Sequence, residues 1–340
     1  MIFTTGGSKT YTNRIVMNSN SVLFQIDYFI RNSPYKKVKG SGNIGLSDNS
    51  VRSYKSLRRI WNDFENHIGR TINLTEMNKD VIYQFIYWII NIQKYSVNYQ
   101  GQLLKLLKSI CKEAERGGEQ IHGYCNHIES YRQRKNDRII VTLNQNEINK
   151  IKKLVNLSSE LENIRKWFLL GLNIGQRISD VLKITPQNLR LAPIGGMYLD
   201  LIQIKTEKPI TIGIIDPMVI EFLKIDFPQK TNASVFNKKI KELCRLAGID
   251  QIIKGNKMCS ITKRVEFGMY PKYELIASHA MRRSFATNYF GKIETPILME
   301  ITGHSRESTF LSYIGENPNK DAIADVFMER LRRLGNEGES

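Results

Sequence analysis

From Val51 to Ile68 apolar residues recur at Val51, Tyr54, Leu57, Trp61, Phe64 and Ile68. Steps of three and four place them on one face of an α-helix. Arg52, Lys55, Arg58 and Arg59 fall largely elsewhere on the wheel, which gives the same helix a basic face. Such a face is either simply solvated or laid against a polyanion, and the pattern alone leaves both open. A shorter helical pattern covers residues 22–30. A third spans 79–92, with Val81, Ile82, Phe85, Ile86 and Ile89 inward, and a fourth runs from 97 to 116, where Gly117-Gly118 supplies a stop signal. Residues 1–20, rich in Thr, Gly, Ser and Asn without period, read as a flexible lead. The expectation is an all-α bundle of about four helices over residues 21–129. A basic linker follows at 130–141, in which Arg132, Arg134, Lys135 and Arg138 suit a phosphate backbone.

Beyond Thr142 the pattern becomes mixed. Asn144 with Glu147 has the spacing of a capping box before a helix, and a second helix passes through Trp167, Phe168 and Leu172 towards Arg177. Strict alternation in MYLDLIQI and ITIGII predicts two strands joined through KTEKP, which puts Lys205 at or beside a hairpin tip. Lys208 shares that turn. Helical patterns return over 236–247, 279–289 and 296–302. A last one, 321–333, carries Ile323, Val326, Phe327 and Leu331 on one side, a stripe that packs either on its own domain or on a neighbour. The fold class expected is mainly α with a small β-sheet (α+β), in two domains, the second covering 142–340.

Charge narrows the partner. The 340 residues carry a formal charge of +17 with a pI near 9.6. Residues 1–140 hold 21 Lys and Arg against 11 Asp and Glu, and residues 141–340 hold 29 against 22, so both parts are basic. That distribution suits a clamp around a polyanion more than a single basic tail. Cys111, Cys125, Cys244 and Cys259 show no paired spacing, so neither a disulfide framework nor a zinc site is indicated. The run HGYCNH (His122, Cys125, His127) lacks a second ligand pair and reads as a loop. The most apolar run, VIYQFIYWIINI, is broken by Gln84 and Asn91 and is too short to span a bilayer. With no secretory signal either, the cytoplasm is the default location and no membrane partner is expected. No Walker loop, two-metal carboxylate cluster or GxSxG elbow is present, so no metal and no cofactor is expected.

The chemistry-bearing residues gather towards the C-terminus: Arg177 in GQRISD, Lys205 in QIKTEK, His279 and Arg282 in SHAMRRSFAT, His304 in ITGHS, and Tyr313 nine residues later. Each is commonplace alone. HxxR is usually a surface pair, RxxD an ion pair on a helix face, a turn lysine merely solvated, and most tyrosines packing residues. Together and in this order they supply what phosphodiester transfer needs. A phosphoryl transition state spreads negative charge over non-bridging oxygens, which guanidinium forks and imidazole donors match. A phenol, with an ordinary pKa of about 10, becomes a competent nucleophile when the attacked phosphate is neutralised and its proton has somewhere to go.

This set resembles the tyrosine recombinases, or phage integrase family, whose pattern is Arg with an acidic residue three positions on, a hairpin Lys, HxxR, then GH and a tyrosine. Arg177 with Asp180, Lys205, His279 with Arg282, Gly303-His304 and Tyr313 fill it without substitution. PKYELIASHAMRRSFATNYF and ITGHSRESTFLSYI look like the subgroup carried by integrative mobile and conjugative elements. The resemblance implies a helical core-type DNA-binding domain followed by a catalytic domain, clamped around double-stranded DNA with specific core sites. It implies attack by Tyr313 to give a 3′-phosphotyrosyl bond, with Arg177, Arg282 and His304 on the non-bridging oxygens. Lys205 protonates the leaving 5′-oxygen, His279 assists proton transfer or orients the phosphate, and Asp180 supports from behind. It also implies a dimer at each site and a tetramer in the synapse, joined through an exchanged C-terminal helix. Some members carry a further N-terminal domain for arm-type sites, for which the chain before Val22 is too short. Two alternatives stay open: a type IB topoisomerase, which reseals the original strand, and a non-catalytic DNA-binding regulator. A covalent DNA adduct separates the regulator from the other two, and recombinant junctions separate recombinase from topoisomerase.

Overall fold

The computed structural model describes residues 19–38, 42, 44–134, 139–315, 324–325, 327–329 and 331–332. Residues 1–18 of the expected lead, Lys135 and Arg138 of the linker, and Ile323 and Val326 of the last helix lie outside them. The chain divides into two compact units, residues 1–134 and 135–340.

The first unit contains α1 (Val22–Arg31), α2 (Asp48–Ile68), α3 (Lys79–Tyr87) and α4 (Val97–Arg116). Polar caps start three of them: Ser21, Ser47 and Asn78 each accept a hydrogen bond from a backbone N–H of the first turn. Trp61, Phe64, Phe85 and Trp88 form the centre of the core, with ring centroids of neighbouring pairs 4.9–6.3 Å apart. The third helix is not uniform. Residues Trp88–Ile92 widen into a π turn, where Gln93 N–H donates to the Trp88 carbonyl and Tyr95 N–H to that of Ile89. Residues 131–134 belong to this unit: the Tyr131 hydroxyl donates to Gln100 at 2.9 Å, and the Gln133 N–H donates to Asn98 at 3.1 Å. A Cβ on Gly101 would stand 1.8 Å from the Tyr131 carbonyl oxygen, so only glycine allows that approach.

The second unit is built on α6 (Ser159–Ile174), buried along most of its length. Around it lie α5 (Gln145–Lys152), α8 (Pro217–Ile225), α9 (Ala233–Leu246) and α11 (His279–Tyr289). The Asn144–Glu147 capping box is formed reciprocally. The sheet has three antiparallel strands where two were expected: β1 (Leu189–Leu191), β2 (Met197–Ile202) and β3 (Pro209–Ile214), in that spatial order. Its buried face carries Met197, Leu199, Ile210, Ile212 and Ile214. A second sheet, absent from the sequence expectation, is the hairpin of β4 (Ile252–Met258) and β5 (Val265–Pro271). Short helices α7 (Ile178–Val181), α10 (Lys272–Leu275), α12 (Thr295–Thr302) and α13 (Glu307–Leu311) complete the unit. Residues 324–325, 327–329 and 331–332 are helical, and Phe327 and Leu331 are exposed there. No helix of the described residues is long and apolar enough to cross a membrane.

Candidate active site

Gly175 ends α6 in the left-handed region (φ 63°), and a Cβ there would meet the Phe285 ring at 2.5 Å. The chain turns sharply, so Arg177 becomes the N-cap residue of α7 while the Gly175 carbonyl faces α11. From α11, the guanidinium of fully buried Arg282 donates to that carbonyl through Nη1 at 3.2 Å. Its Nη2 donates to the Thr302 carbonyl at the end of α12 and to His304 Nε2 at 3.1 Å. One arginine thus ties the loop bearing Arg177 to the turn bearing His304.

The network assigns the His304 tautomer. Arg282 can only donate, so Nε2 accepts and Nδ1 carries the proton. Nδ1 donates to Thr302 Oγ1 at 2.9 Å, and that hydroxyl passes its own hydrogen to the Leu298 carbonyl. Charge and burial agree. Burial first, then Arg282 and Arg177, push the His304 imidazole down to about 3. His279, at the first turn of α11, is pushed down to about 4 by burial and then by Arg283, Arg282 and Arg177. Burial and the neighbouring Arg177 lower Arg282 to about 10, which still leaves it charged at neutral pH. The pocket is cationic through its arginines, with two neutral imidazoles beside them.

Tyr313 follows α13, over buried Phe310, and stands half-buried among these groups. Its ring lies 5.0 Å from that of His279 and 4.7 Å from that of His304, and the Arg282 Cζ is 5.5 Å from the ring centre. Residues 279, 282, 304 and 313 therefore surround one point. Arg177 Nη1 and Arg282 Nε are buried there without a hydrogen-bond partner, and donors so placed suit an oxyanion. Asp180, 3% exposed, accepts the Ile204 N–H through Oδ1 at 3.0 Å and so reaches the β2–β3 turn rather than solvent.

Lys205 is exposed in that turn, in no ion pair among the described residues. Lys208 pairs with Glu300 of α12 at 2.5 Å, so of the two turn lysines only Lys205 is uncommitted. On α2, Arg52, Lys55 and Arg59 are exposed, whereas Arg58 is drawn to Asp27 of α1 at 2.6 Å. Arg132 and Arg134 are exposed, and Lys135 lies outside the described residues. His122 uses Nδ1 to cap the turn at Gly123–His127, accepting the Tyr124 N–H at 3.1 Å. Among the described residues no group of three or more His, Cys, Asp or Glu is placed to hold a metal ion. The motifs do not mark Gln176 and Gln203, which tie the loop after α6 to the β2–β3 turn and to the end of α12, or Thr302, which orients His304. GQR and QIKTEK contain the two glutamines, but their burial has no local signature.

No family model and no curated protein matches the chain. Solved structures do. A lambda integrase fragment, in a dimer bound to a COC' core site, aligns with TM-score 0.61 at 15% identity over 87% of this chain and 95% of its own. XerH site-specific recombinase bound to a palindromic difH substrate gives 0.59 at 14% identity, over 94% and 95%. The Tn1549 transposon integrase, in complex with transposon right end DNA, gives 0.58 at 16% identity, over 92% and 99%. Likeness at this level of identity is likeness of fold, and the fold of this chain is that of the tyrosine recombinases.

Proposed function

We propose that this protein is a site-specific DNA recombinase of the integrase type, cutting and rejoining strands through a 3′-phosphotyrosyl intermediate. The observation that carries this is the convergence of Tyr313 with His279, Arg282 and His304 about one cationic pocket, its rings and guanidinium 4.7–5.5 Å apart. In the proposed reaction Tyr313 Oη attacks the scissile phosphorus, and the bond from phosphorus to the 5′-oxygen breaks. Arg177 and Arg282 neutralise the non-bridging oxygens through donors that have no other partner. His304 completes that cradle once its Nε2 is released from Arg282 and carries a proton. His279, neutral in the free protein, accepts or relays the phenolic proton. Lys205 delivers a proton to the departing 5′-oxygen. The bond energy stays in the phosphotyrosyl link, so a second 5′-hydroxyl displaces Tyr313 without a nucleotide cofactor.

Both units are basic, and the proposal has each contacting duplex DNA, the first through Arg52, Lys55 and Arg59 of α2 with Arg132 and Arg134. Lambda integrase is seen as a dimer on a core site and as a tetramer on a Holliday junction. We extend that assembly to this chain, with the C-terminal helix docking on a neighbouring subunit. Exposed Phe327 and Leu331 support this reading.

The test is a library of nicked duplexes, from which the protein captures its own sites as detergent-resistant covalent adducts. Adducts formed by the wild type and lost in Tyr313→Phe support the proposal, and exchange of flanking sequence between captured duplexes marks recombination. Cleavage that never yields a protein-linked 3′ end, or resealing that only restores the original strand, contradicts it.

A further inference from the structure

We infer that Gln176 and Gln203 form a buried amide relay that sets the position of Lys205 for proton delivery to the leaving 5′-oxygen. The inference rests on the recombinase reading and adds two positioning residues to it. Both glutamines are 0% exposed. Gln176 Nε2 donates to two carbonyls, Ile174 at 2.9 Å and Ile301 at 2.7 Å, which uses both of its hydrogens. That fixes the direction of the amide: its Oε1 must be the acceptor for Gln203 Nε2, at 2.7 Å. Gln203 Oε1 then faces the Thr206 hydroxyl, which donates to it at 2.7 Å. A one-way chain of donors runs from Thr206 in the turn, through Gln203, to Gln176 in the α6–α7 loop and the carbonyls of Ile174 and Ile301.

The turn itself is closed by Gln203 N–H to the Lys208 carbonyl (2.9 Å) and Glu207 N–H to the Gln203 carbonyl (2.7 Å). Asp180 adds a grip on Ile204. The residue before Arg177 and the residue three after it thus hold Gln203 and Ile204, the two residues before Lys205, and Gln203 holds Thr206, the one after it, while the lysine side chain stays exposed. The third loop is included, because a Cβ on Gly303 would lie 1.9 Å from Gln203 Oε1. Arg177, Lys205 and His304 are therefore referenced to one pair of amides. An exposed turn held only by its strands would let the ammonium wander. A displacement of about 1 Å costs on the order of a hundredfold in a positioned proton transfer.

Leaving-group chemistry separates positioning of an acid from a general structural role. A duplex whose 5′-bridging oxygen is replaced by sulfur needs no proton on departure. Single-turnover cleavage is measured on ordinary and sulfur duplexes for Gln203→Met, Gln176→Met, Thr206→Val and Lys205→Ala, with a thermal melt of each. The expected result is that the two methionine variants, which keep volume but lose the relay, slow ordinary cleavage roughly ten- to a hundredfold. They should cleave the sulfur duplex at near the wild-type rate, as Lys205→Ala does. Equal slowing on both duplexes, or no slowing on either, overturns the relay. If Lys205→Ala itself is not rescued by sulfur, the lysine is not the acid, and the assignment beneath the relay is what fails. Where a glutamine variant does not fold, Thr206→Val decides at the exposed end of the chain. Sulfur-rescued slowing supports the relay, and unchanged cleavage overturns it.

Discussion

The two imidazoles of the candidate site make the second unit sensitive to acid in a way that can be isolated. An ordinary histidine titrates near 6.5, but in the folded protein His279 is pushed down to about 4 and His304 to about 3. Above pH 6.5 neither state binds these protons, so the two residues do not affect stability there. Below it the unfolded chain takes up protons that the folded pocket refuses, and stability falls until the folded imidazoles titrate near 4 and 3. Between pH 7 and pH 5 the linkage amounts to about 2 kcal/mol for each fully enclosed ring, and both rings keep some solvent contact, so roughly 2 kcal/mol for the pair is expected. For a unit of this size that is a fall in Tm of roughly 4–8 °C. Calorimetry of the full chain at both pH values, beside His279→Gln with His304→Gln, measures it, because carboxylate titration is common to both proteins and cancels. Sulfate should reduce the wild-type loss, since an anion facing the rings favours their protonated form. If wild type and double variant show the same pH slope, the imidazoles are not held neutral and the cationic character of the pocket does not rest on its arginines.

Tyr313→Phe removes only a hydroxyl oxygen, so covalent DNA attachment should vanish while non-covalent affinity in a mobility-shift assay stays within about twofold; surviving adduct redirects attention to Tyr289 or Tyr270. Lys208→Ala breaks an ion pair with Glu300 rather than removing the proposed acid, so its ordinary-duplex cleavage should fall far less than that of Lys205→Ala, and the reverse order would move that role by three residues. Gly303→Ala combines a left-handed residue (φ 64°) with a Cβ aimed at Gln203, and should cost roughly 2–4 kcal/mol in a denaturant melt; a loss below about 1 kcal/mol would mean that Gln203 moves aside freely. Truncation after Asn319 should leave a folded protein that binds a half-site without cooperative pairing or recombination, scored by mobility shift; unfolding, or normal synaptic tetramers, would refute docking of the last helix in trans.

The elements with uninterrupted period were legible in the chain: α2 by its Tyr54, Leu57, Trp61, Phe64 spacing, and α5 by the Asn144–Glu147 box. What escaped did so for stateable reasons. The period of α3 continues into Trp88 and Ile89, so nothing in it marks the change to a π turn. Three-residue β1 is too short to alternate, and Gly195-Gly196, both at positive φ, read as loop. The β4–β5 hairpin inverts the usual rule. Its register places Lys254 and Asn256 on one face with Ile252, Met258, Val265, Phe267 and Met269, and that apolar face is the exposed one. A search for apolar-in, polar-out alternation finds no strand there.

The candidate site divides along the same line. Arg177, His279, Arg282, His304 and Tyr313 were visible because the phosphodiester chemistry proposed for them dictates side-chain type, and few residue types satisfy it. Their supports carry no such demand. Gln176 meets Gln203 across 27 positions and the Ile301 carbonyl across 125, and glutamine in a turn is ordinarily a solvated residue. Only burial turns these amides into obligate partners: at 0% exposure each donor and acceptor must be answered within the protein, so the direction of every bond follows from the first. The same condition explains why Gly303 stands before His304. It supplies the left-handed turn and leaves the space that Gln203 occupies, so a residue legible as a motif glycine is also one wall of a relay that the motif does not reveal.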